Sequence, residues 1–226
     1  MRLALLGGTF DPVHLGHLAI ARAAVEKFDL DVVYFVPADA PPHKRGRNLT
    51  EFQHRFAMLA LATAEEQRFV PSLLEAYSTH PNYSIETVRR FKSTLGPSDK
   101  LYFLIGVDAF MEIGSWKQPV ELLSECDFVV ASRPGHSLKE IAKALPEPLR
   151  SANAVLHGME QPGNTIQLPS TAIHLLDNVD QPISSTQIRT AANKSVEQLS
   201  KHVGRLVAEY IRKEHLYLEP EPNQEK

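Results

Sequence analysis

Leu3-Ala4-Leu5-Leu6-Gly7-Gly8-Thr9-Phe10-Asp11-Pro12-Val13-His14-Leu15-Gly16-His17 reads as a buried strand, a small-residue turn and the approach to a helix. The run Leu3 to Leu6 is apolar without alternation, as expected of a strand covered on both faces. A glycine pair at a strand end has two readings. It can supply positive φ, or it can let backbone N–H groups come close to a phosphate. His14 and His17 fall three residues apart, a spacing that places both rings on one face of an incipient helix. Two imidazoles there add donors able to carry positive charge, which points to phosphate chemistry. A metal site is the alternative, but no third ligand stands nearby. Asp11 precedes the pair, and neither a cysteine nor a glutamate at zinc-protease spacing accompanies it, so no protein-bound metal is assigned.

Outward from this stretch, strand and helix patterns alternate. Leu18 to Phe28 has helical spacing of apolar residues, and Val32 to Val36 is β-branched and aromatic. Ala38 to Asn48 is Pro-rich and basic, hence a loop. Thr50 and Gln53 have capping-box spacing and open a helix to about Glu66. Phe69 to Leu73 is a weaker strand, Ser84 to Leu95 a helix stopped by Gly96, and Leu101 to Ile105 and Asp127 to Ala131 are strands. Pro146 to Leu168 is irregular, with room for one strand. His174 to Leu176 is a further strand, and a helix follows from about Thr186 to Asn193. Val203, Leu206, Val207, Tyr210 and Ile211 mark the apolar face of a last helix, which Gly204 weakens. The alternation predicts an α/β fold: a Rossmann-like, doubly wound parallel sheet with helices on both faces and a C-terminal helical segment from about residue 184. We expect one domain over residues 1–218 and a flexible tail over 219–226.

Composition narrows the functional classes. The 226 residues carry a net charge of −3, with 43% hydrophobic and 23% charged residues, ordinary for a globular domain. Such a balance gives no general attraction to nucleic acid or anionic membrane. One cysteine, Cys126, excludes an intrachain disulfide and a Cys-rich zinc site. No transmembrane span or signal segment is visible, so the expected location is the cytoplasm. A homo-oligomer is compatible with these features.

A second motif lies near the other end: Ile183-Ser184-Ser185-Thr186-Gln187-Ile188-Arg189. Three hydroxyls at a helix start offer both caps and phosphate contacts, and Arg189 stands one turn in, able to fork onto an anion. Read alone, this is also a well-capped surface helix. Together, in this order, the two motifs resemble the nucleotidyltransferase superfamily with a His-x-Gly-His signature. More narrowly, the chain resembles bacterial nicotinate-nucleotide adenylyltransferases over about Arg2 to Tyr217. Pro41-Pro42-His43-Lys44, Asn82-Tyr83-Ser84, Ile105-Gly106-Val107-Asp108, Trp116 and Arg133-Pro134-Gly135 carry that assignment. Where the family usually reads Arg-x-Gly-Pro-Ser-Tyr-Thr, this chain has Ser78-Thr79-His80-Pro81-Asn82-Tyr83-Ser84, and Pro146 to Gln181 is longer than in the family.

The resemblance implies adenylyl transfer from ATP to nicotinate mononucleotide, with Mg²⁺ arriving on ATP. It implies catalytic roles for His17 and His14, with ATP contacts from Gly8, Thr9, Phe10, Gly106, Asp108, Ser184, Ser185, Thr186 and Arg189. Acceptor contacts fall to Lys44, Ser84, Asp108, Trp116 and Arg133. Simpler roles stand beside these: Lys44 as a solvated loop lysine, Trp116 as a packing aromatic, Asp108 as a helix cap. Two other functions remain open from sequence. One is the same chemistry on nicotinamide mononucleotide or phosphopantetheine, and the other is a nucleotide sensor without turnover. A dinucleotide-binding domain would need a Gly-x-Gly-x-x-Gly after the first strand, which is absent. The irregular segment, 146–181, is expected over one edge of the site.

Overall fold

Continuous apolar runs make the central strands. Strand β1 (Arg2–Gly8) is buried from Leu3 to Leu6, and β5 (Asp127–Ala131) is buried throughout. The computed structural model describes residues 1–41, 49–77, 80–132, 137–150, 164–177, 179, 183–193 and 195–218. Its remaining strands are β2 (Val32–Pro37), β3 (Phe69–Pro71), β4 (Lys100–Gly106), β6 (Thr165–Gln167) and β7 (Ala172–Leu176). They form one seven-stranded sheet in the order β3-β2-β1-β4-β5-β7-β6. All neighbours are parallel except β6, which runs antiparallel to β7 with Ile166 opposite Ile173. The expected doubly wound parallel sheet is thus present, with one antiparallel strand added at its edge. A short return through Leu168 to Thr171 joins the two strands, with Leu168 N–H donating to the Thr171 carbonyl at 2.9 Å, and a connection that brief permits only a hairpin.

Alternate side chains divide the core into two layers. Leu3, Leu5, Phe103, Ile105, Phe128 and Val130 face one side. Against them pack α3 (Ser84–Lys92), α4 (Val107–Phe110), α5 (Pro119–Glu125), α6 (Leu138–Ala144) and α7 (Glu147–Arg150). Ala4, Leu6, Tyr102, Leu104 and Val129 face the other side. Here α1 (Leu15–Phe28), α2 (Phe52–Thr63), α8 (Ser185–Thr190), α9 (Val196–Val203) and α10 (Arg205–Lys213) close the layer. The chain leaves β1 for β2 and β3 on one side, then returns to place β4 on the other. This reversal opens a crevice beyond the carboxyl ends of β1 and β4, where open α/β sheets bind ligands.

A buried arginine ties the loops around that crevice. Arg55 on α2 is 1% exposed. Its Nε donates to the Thr50 carbonyl at 2.8 Å, and its Nη1 to the carbonyls of Thr9 and Ala38, both at 2.7 Å. Asp11, also buried, accepts from the Tyr217 hydroxyl at 2.7 Å and the Thr50 N–H at 3.4 Å, and its carbonyl accepts from Arg189 Nη1 at 2.7 Å. These bonds explain why the Thr50–Gln53 capping box does not form. Thr50 is drawn to Asp11 and Arg55, and Glu51 takes the N-cap without a side-chain bond. The helix stops at Thr63 rather than near Glu66. The single last helix is likewise corrected to two: Gly204 sits at φ 82° between α9 and α10, and Leu206, expected on an apolar face, is exposed.

Arg55→Met should lower the unfolding free energy by about 3 kcal/mol, the scale for removing one side of a buried charged cluster. Urea denaturation measures this. A change within about 0.5 kcal/mol would show that the three carbonyls do not depend on the guanidinium.

Candidate active site

The crevice holds two adjoining cavities. One, of about 320 Å³, is lined by His14, His17, Asp108, Ser132, Ser184 and Ser185, among others. The second, of about 280 Å³, is lined by Gly8, Thr9, Glu75, Tyr83, Ser84, Trp116 and Lys117, among others. Gly7, Gly106 and Ala109 line both, so the cavities meet at the split between β1 and β4. Each is of small-ligand size and mixes apolar walls with a few polar groups.

The two glycines of β1 do not supply positive φ; among the described residues only Gly204 does so as a glycine. At Gly8 space is tight: a Cβ there would stand 3.2 Å from the buried Phe10 ring, which would have to give by a few tenths of an ångström. Phe10 itself has φ 47° and is 1% exposed. Its ring meets the edge of His17 at 4.9 Å between centroids. At Gly106 a Cβ would meet nothing within 4 Å, so the small residue keeps the junction of the cavities open.

The histidines lie at the positive end of α1. Their rings stack at 3.7 Å with 28° between planes. His14 N–H donates to His17 Nδ1 at 3.2 Å. An accepting Nδ1 requires that the neutral His17 ring carry its proton on Nε2. His14 is 8% exposed, and its Nδ1 has no hydrogen-bond partner among the described residues. Burial holds its pKa at about 4, so His14 is neutral at pH 7, and the expectation of two chargeable rings is corrected for this one. A buried ring nitrogen beside a cavity, left without a partner, is a group that a ligand oxygen would satisfy.

Ser184 caps α8 in a box with Gln187: Ser184 N–H donates to Gln187 Oε1 at 2.9 Å, and Gln187 N–H to Ser184 Oγ at 3.3 Å. Ser185 Oγ donates to the Pro12 carbonyl at 3.0 Å. The C-terminal motif is thereby fastened to the first loop. A family model described as cytidylyltransferase-like matches residues 5–191. The chain belongs to this family. A probable nicotinate-nucleotide adenylyltransferase of Thermoanaerobacter sp. (strain X514) is 37% identical over 223 residues, covering 99% of this chain and 97% of the relative. That of Solibacter usitatus (strain Ellin6076) is 38% identical over 220 residues, covering 96% and 100%. The fold is shared with the Plasmodium falciparum nicotinic acid mononucleotide adenylyltransferase complexed with NaAD. There the TM-score is 0.71 at 19% identity, covering 96% of this chain and 97% of that one.

Within this cytidylyltransferase-like chain, most of the sequence-derived site residues converge, with some redistribution. His14, His17, Asp108, Ser184 and Ser185 line the histidine cavity, while Ser84 and Trp116 line the tryptophan cavity. Gly8 and Thr9, expected beside the histidines, line the tryptophan cavity instead. Among the described residues, Phe10, Thr186 and Arg189 are not in either wall. Arg189 is engaged by the Asp11 carbonyl and Thr186 Oγ1, so its visible work is to hold the loop. Lys44 and Arg133 lie outside the described residues, as do the tail and much of the irregular segment. Of that segment, Val179 reaches the wall of the histidine cavity.

Sequence reasoning missed Glu75, Lys117 and Ser132. Glu75 follows Leu73-Leu74 in an apolar stretch with no motif around it, and only its burial reveals it. Burial raises its carboxyl to about 7 against the opposing hydrogen bond from Thr87.

The two buried groups have opposed effects on stability. His14, lowered from 6.5 to about 4, contributes stability that is complete above pH 6.5 and is lost as pH falls toward 4. Glu75, raised from 4.5 to about 7, contributes stability that is complete below pH 4.5 and is lost as pH rises through 7. Their windows overlap, so only differences between proteins separate them. Urea denaturation of the parent and of His14→Asn across pH 4 to 7 should show the variant losing less stability than the parent as pH falls. Parallel profiles would contradict a neutral buried His14.

Proposed function

We propose that the protein is an ATP:nicotinate-nucleotide adenylyltransferase of NAD biosynthesis. The observation that carries this reading is the pair of cavities meeting at Gly7 and Gly106. Adenylyl transfer needs two nucleotide-sized substrates whose reacting phosphates touch at one point, and this crevice offers one place for that. ATP occupies the histidine cavity and the acceptor the tryptophan cavity, with the α-phosphorus at the junction.

In the reaction, a phosphate oxygen of nicotinate mononucleotide bonds to the α-phosphorus of ATP. The bond from that phosphorus to the bridging oxygen breaks, and pyrophosphate leaves with the electron pair. The attacking oxygen is already ionised at neutral pH, so the step requires neither a general base nor a protein nucleophile. What remains is to align two polyanions and stabilise charge on the transferring group. His17 donates through Nε2–H to a phosphate oxygen. His14, held neutral and stacked against it, donates through Nδ1–H to the same group, as the tautomer protonated at that nitrogen. Ser184 and Ser185 receive the outer phosphates, with Thr186 and Arg189 completing that end once nucleotide displaces internal contacts. From the wall of the tryptophan cavity the backbone at Gly8 and Thr9 approaches the α-phosphate at the junction, and Phe10 supports the His17 ring rather than touching nucleotide. Asp108 takes a sugar hydroxyl near the junction, Trp116 stacks on the pyridine ring, and Ser84, Lys44 and Arg133 address the acceptor's anionic groups.

Asp108 is the one carboxylate among the described lining residues of the histidine cavity. No cluster of three or more His, Cys, Asp or Glu side chains suited to a metal occurs among the described residues. This donor set fits a Mg²⁺ carried in by ATP rather than a resident ion. Bound there, Mg²⁺ would offset phosphate charge. No helix among the described residues is long and apolar enough to cross a membrane, and we place the enzyme in the cytoplasm.

His17→Ala should lower kcat at least about 10²-fold, the scale for losing one preorganised donor, with pyrophosphate release from ATP and nicotinate mononucleotide as the assay. An unchanged kcat would remove His17 from the mechanism. Gly106→Val should abolish turnover while shifting Tm by less than about 3 °C, because its side chain enters the open junction rather than the core. Retained turnover would move the reacting phosphates elsewhere. Offering nicotinate mononucleotide, nicotinamide mononucleotide and phosphopantetheine in competition tests the acceptor. Preference for either of the last two would overturn the assignment.

A further inference from the structure

Besides Tyr83, two titratable side chains among the described residues line the tryptophan cavity, Glu75 and Lys117. Lys117 is at the surface, its Nζ 2.6 Å from Glu86 Oε1 and 4.1 Å from the centre of the Tyr83 ring. Glu75 is 8% exposed, and carboxyl groups are seldom buried to that extent without a partner. Its Oε1 accepts from Thr87 Oγ1 at 2.5 Å. No catalytic step above uses it.

Glu75 also lines a smaller cavity of about 20 Å³ bounded by Leu5, Gly7, Val36, Ser84, Thr87 and Phe103. Gly7, Val36, Glu75, Ser84 and Phe103 belong to both cavities, so the small one continues the wall of the large one. Its size admits one water, and Glu75, Ser84 and Thr87 supply the polar partners a buried water needs. The surroundings are otherwise apolar. Of the charged groups acting on Glu75, Arg90 on α3 favours its ionised form and Asp39, after β2, opposes it. Lys117 stands on the same cavity wall. Burial outweighs Arg90 and the Thr87 bond and places the carboxyl at about 7, so both its forms are populated near neutral pH.

Resting on the function proposed above, we infer that Glu75 is a specificity-determining residue of the acceptor subsite. As the neutral acid it donates a hydrogen bond to the ring substituent of the pyridine acceptor, directly or through the single water. Once ionised it turns away an acceptor whose ring bears a carboxylate, while a carboxamide is still accepted. Ser84, on the same wall, is already assigned to the acceptor's anionic groups, of which the ring carboxylate is one. The enzyme therefore discriminates acid from amide most strongly on the acid side of neutrality.

The chain's one tryptophan, Trp116, lines this cavity and makes binding measurable without turnover. Fluorescence titrations with nicotinate mononucleotide and nicotinamide mononucleotide, without ATP, give the ratio of their Kd values at each pH. The ratio cancels the titration of the phosphate common to both ligands. It should shift about tenfold against the acid ligand between pH 6 and pH 8 as the neutral carboxyl is depleted. In Glu75→Gln, which keeps a donor and loses the titration, the ratio should be flat. A flat ratio in the parent protein, or the parent's slope retained in Glu75→Gln, would overturn the assignment. Should Glu75→Gln fail to fold, Thr87→Val serves. Loss of a bond favouring the ionised form should move the midpoint upward, and an unmoved midpoint counts against the assignment. Pyrophosphate release measured in the same buffers separates the two levels of the argument. Release with a flat ratio sinks only the role of Glu75, whereas no release with either acceptor and ATP sinks the parent reading and this inference together.

Discussion

The buried Arg55 guanidinium is the constraint on which the site depends. A charge this far from water persists only where acceptors surround it, and here the acceptors are the carbonyls of Thr50, Thr9 and Ala38. One side chain thus fixes the exits of β1 and β2 and the entry to α2. Asp11 extends the cluster to the far end of the chain, receiving the Tyr217 hydroxyl and the Arg189 guanidinium. The first loop is held from three directions before any ligand arrives. That is the rigidity a reaction relying on positioning requires, because donors aimed in advance need no reorganisation as charge develops.

The sheet topology sets where the loop acts. Reversal of strand order between β1 and β4 separates the loops at their carboxyl ends, and two small residues, Gly7 and Gly106, keep the gap clear. The histidine side is arranged for electrostatics without proton transfer. His14 is kept neutral by burial, the His17 tautomer is set by a backbone N–H, and the α1 terminus adds its own field. An uncharged His14 suits the proposed step, in which no proton changes hands. On the tryptophan side the one deeply buried titratable group among the described residues is Glu75, and the pH sensitivity proposed here resides with it.

The fold was legible because its strands are buried on both faces. Leu3 to Leu6, Val32 to Val36, Leu101 to Ile105 and Asp127 to Ala131 announce themselves by composition, and the glycine and histidine pattern after the first of them points to phosphate. Features set by distant partners were not legible. The Thr50–Gln53 capping box is a sound local reading, overridden by Asp11 and Arg55. Of the two sequence readings of Gly8, positive φ does not hold, and the crowding of the Phe10 ring against it has no local signature. Arg189 looked like an anion fork, yet it grips a carbonyl 178 positions away in sequence. Glu75 carries no local signature, since its character comes from what encloses it. Local chemistry gives the elements and the kind of site, and tertiary contacts decide which member of each motif faces the ligand.

The central claim is direct, in-line attack at the junction of two cavities, with no covalent intermediate on the protein. The stereochemical course at the α-phosphorus tests it. With ATP made chiral at that phosphorus by sulfur substitution, a single displacement inverts the configuration in the dinucleotide product, and inversion is what this account predicts. Retention would mean two successive displacements through an adenylylated side chain, and would contradict it.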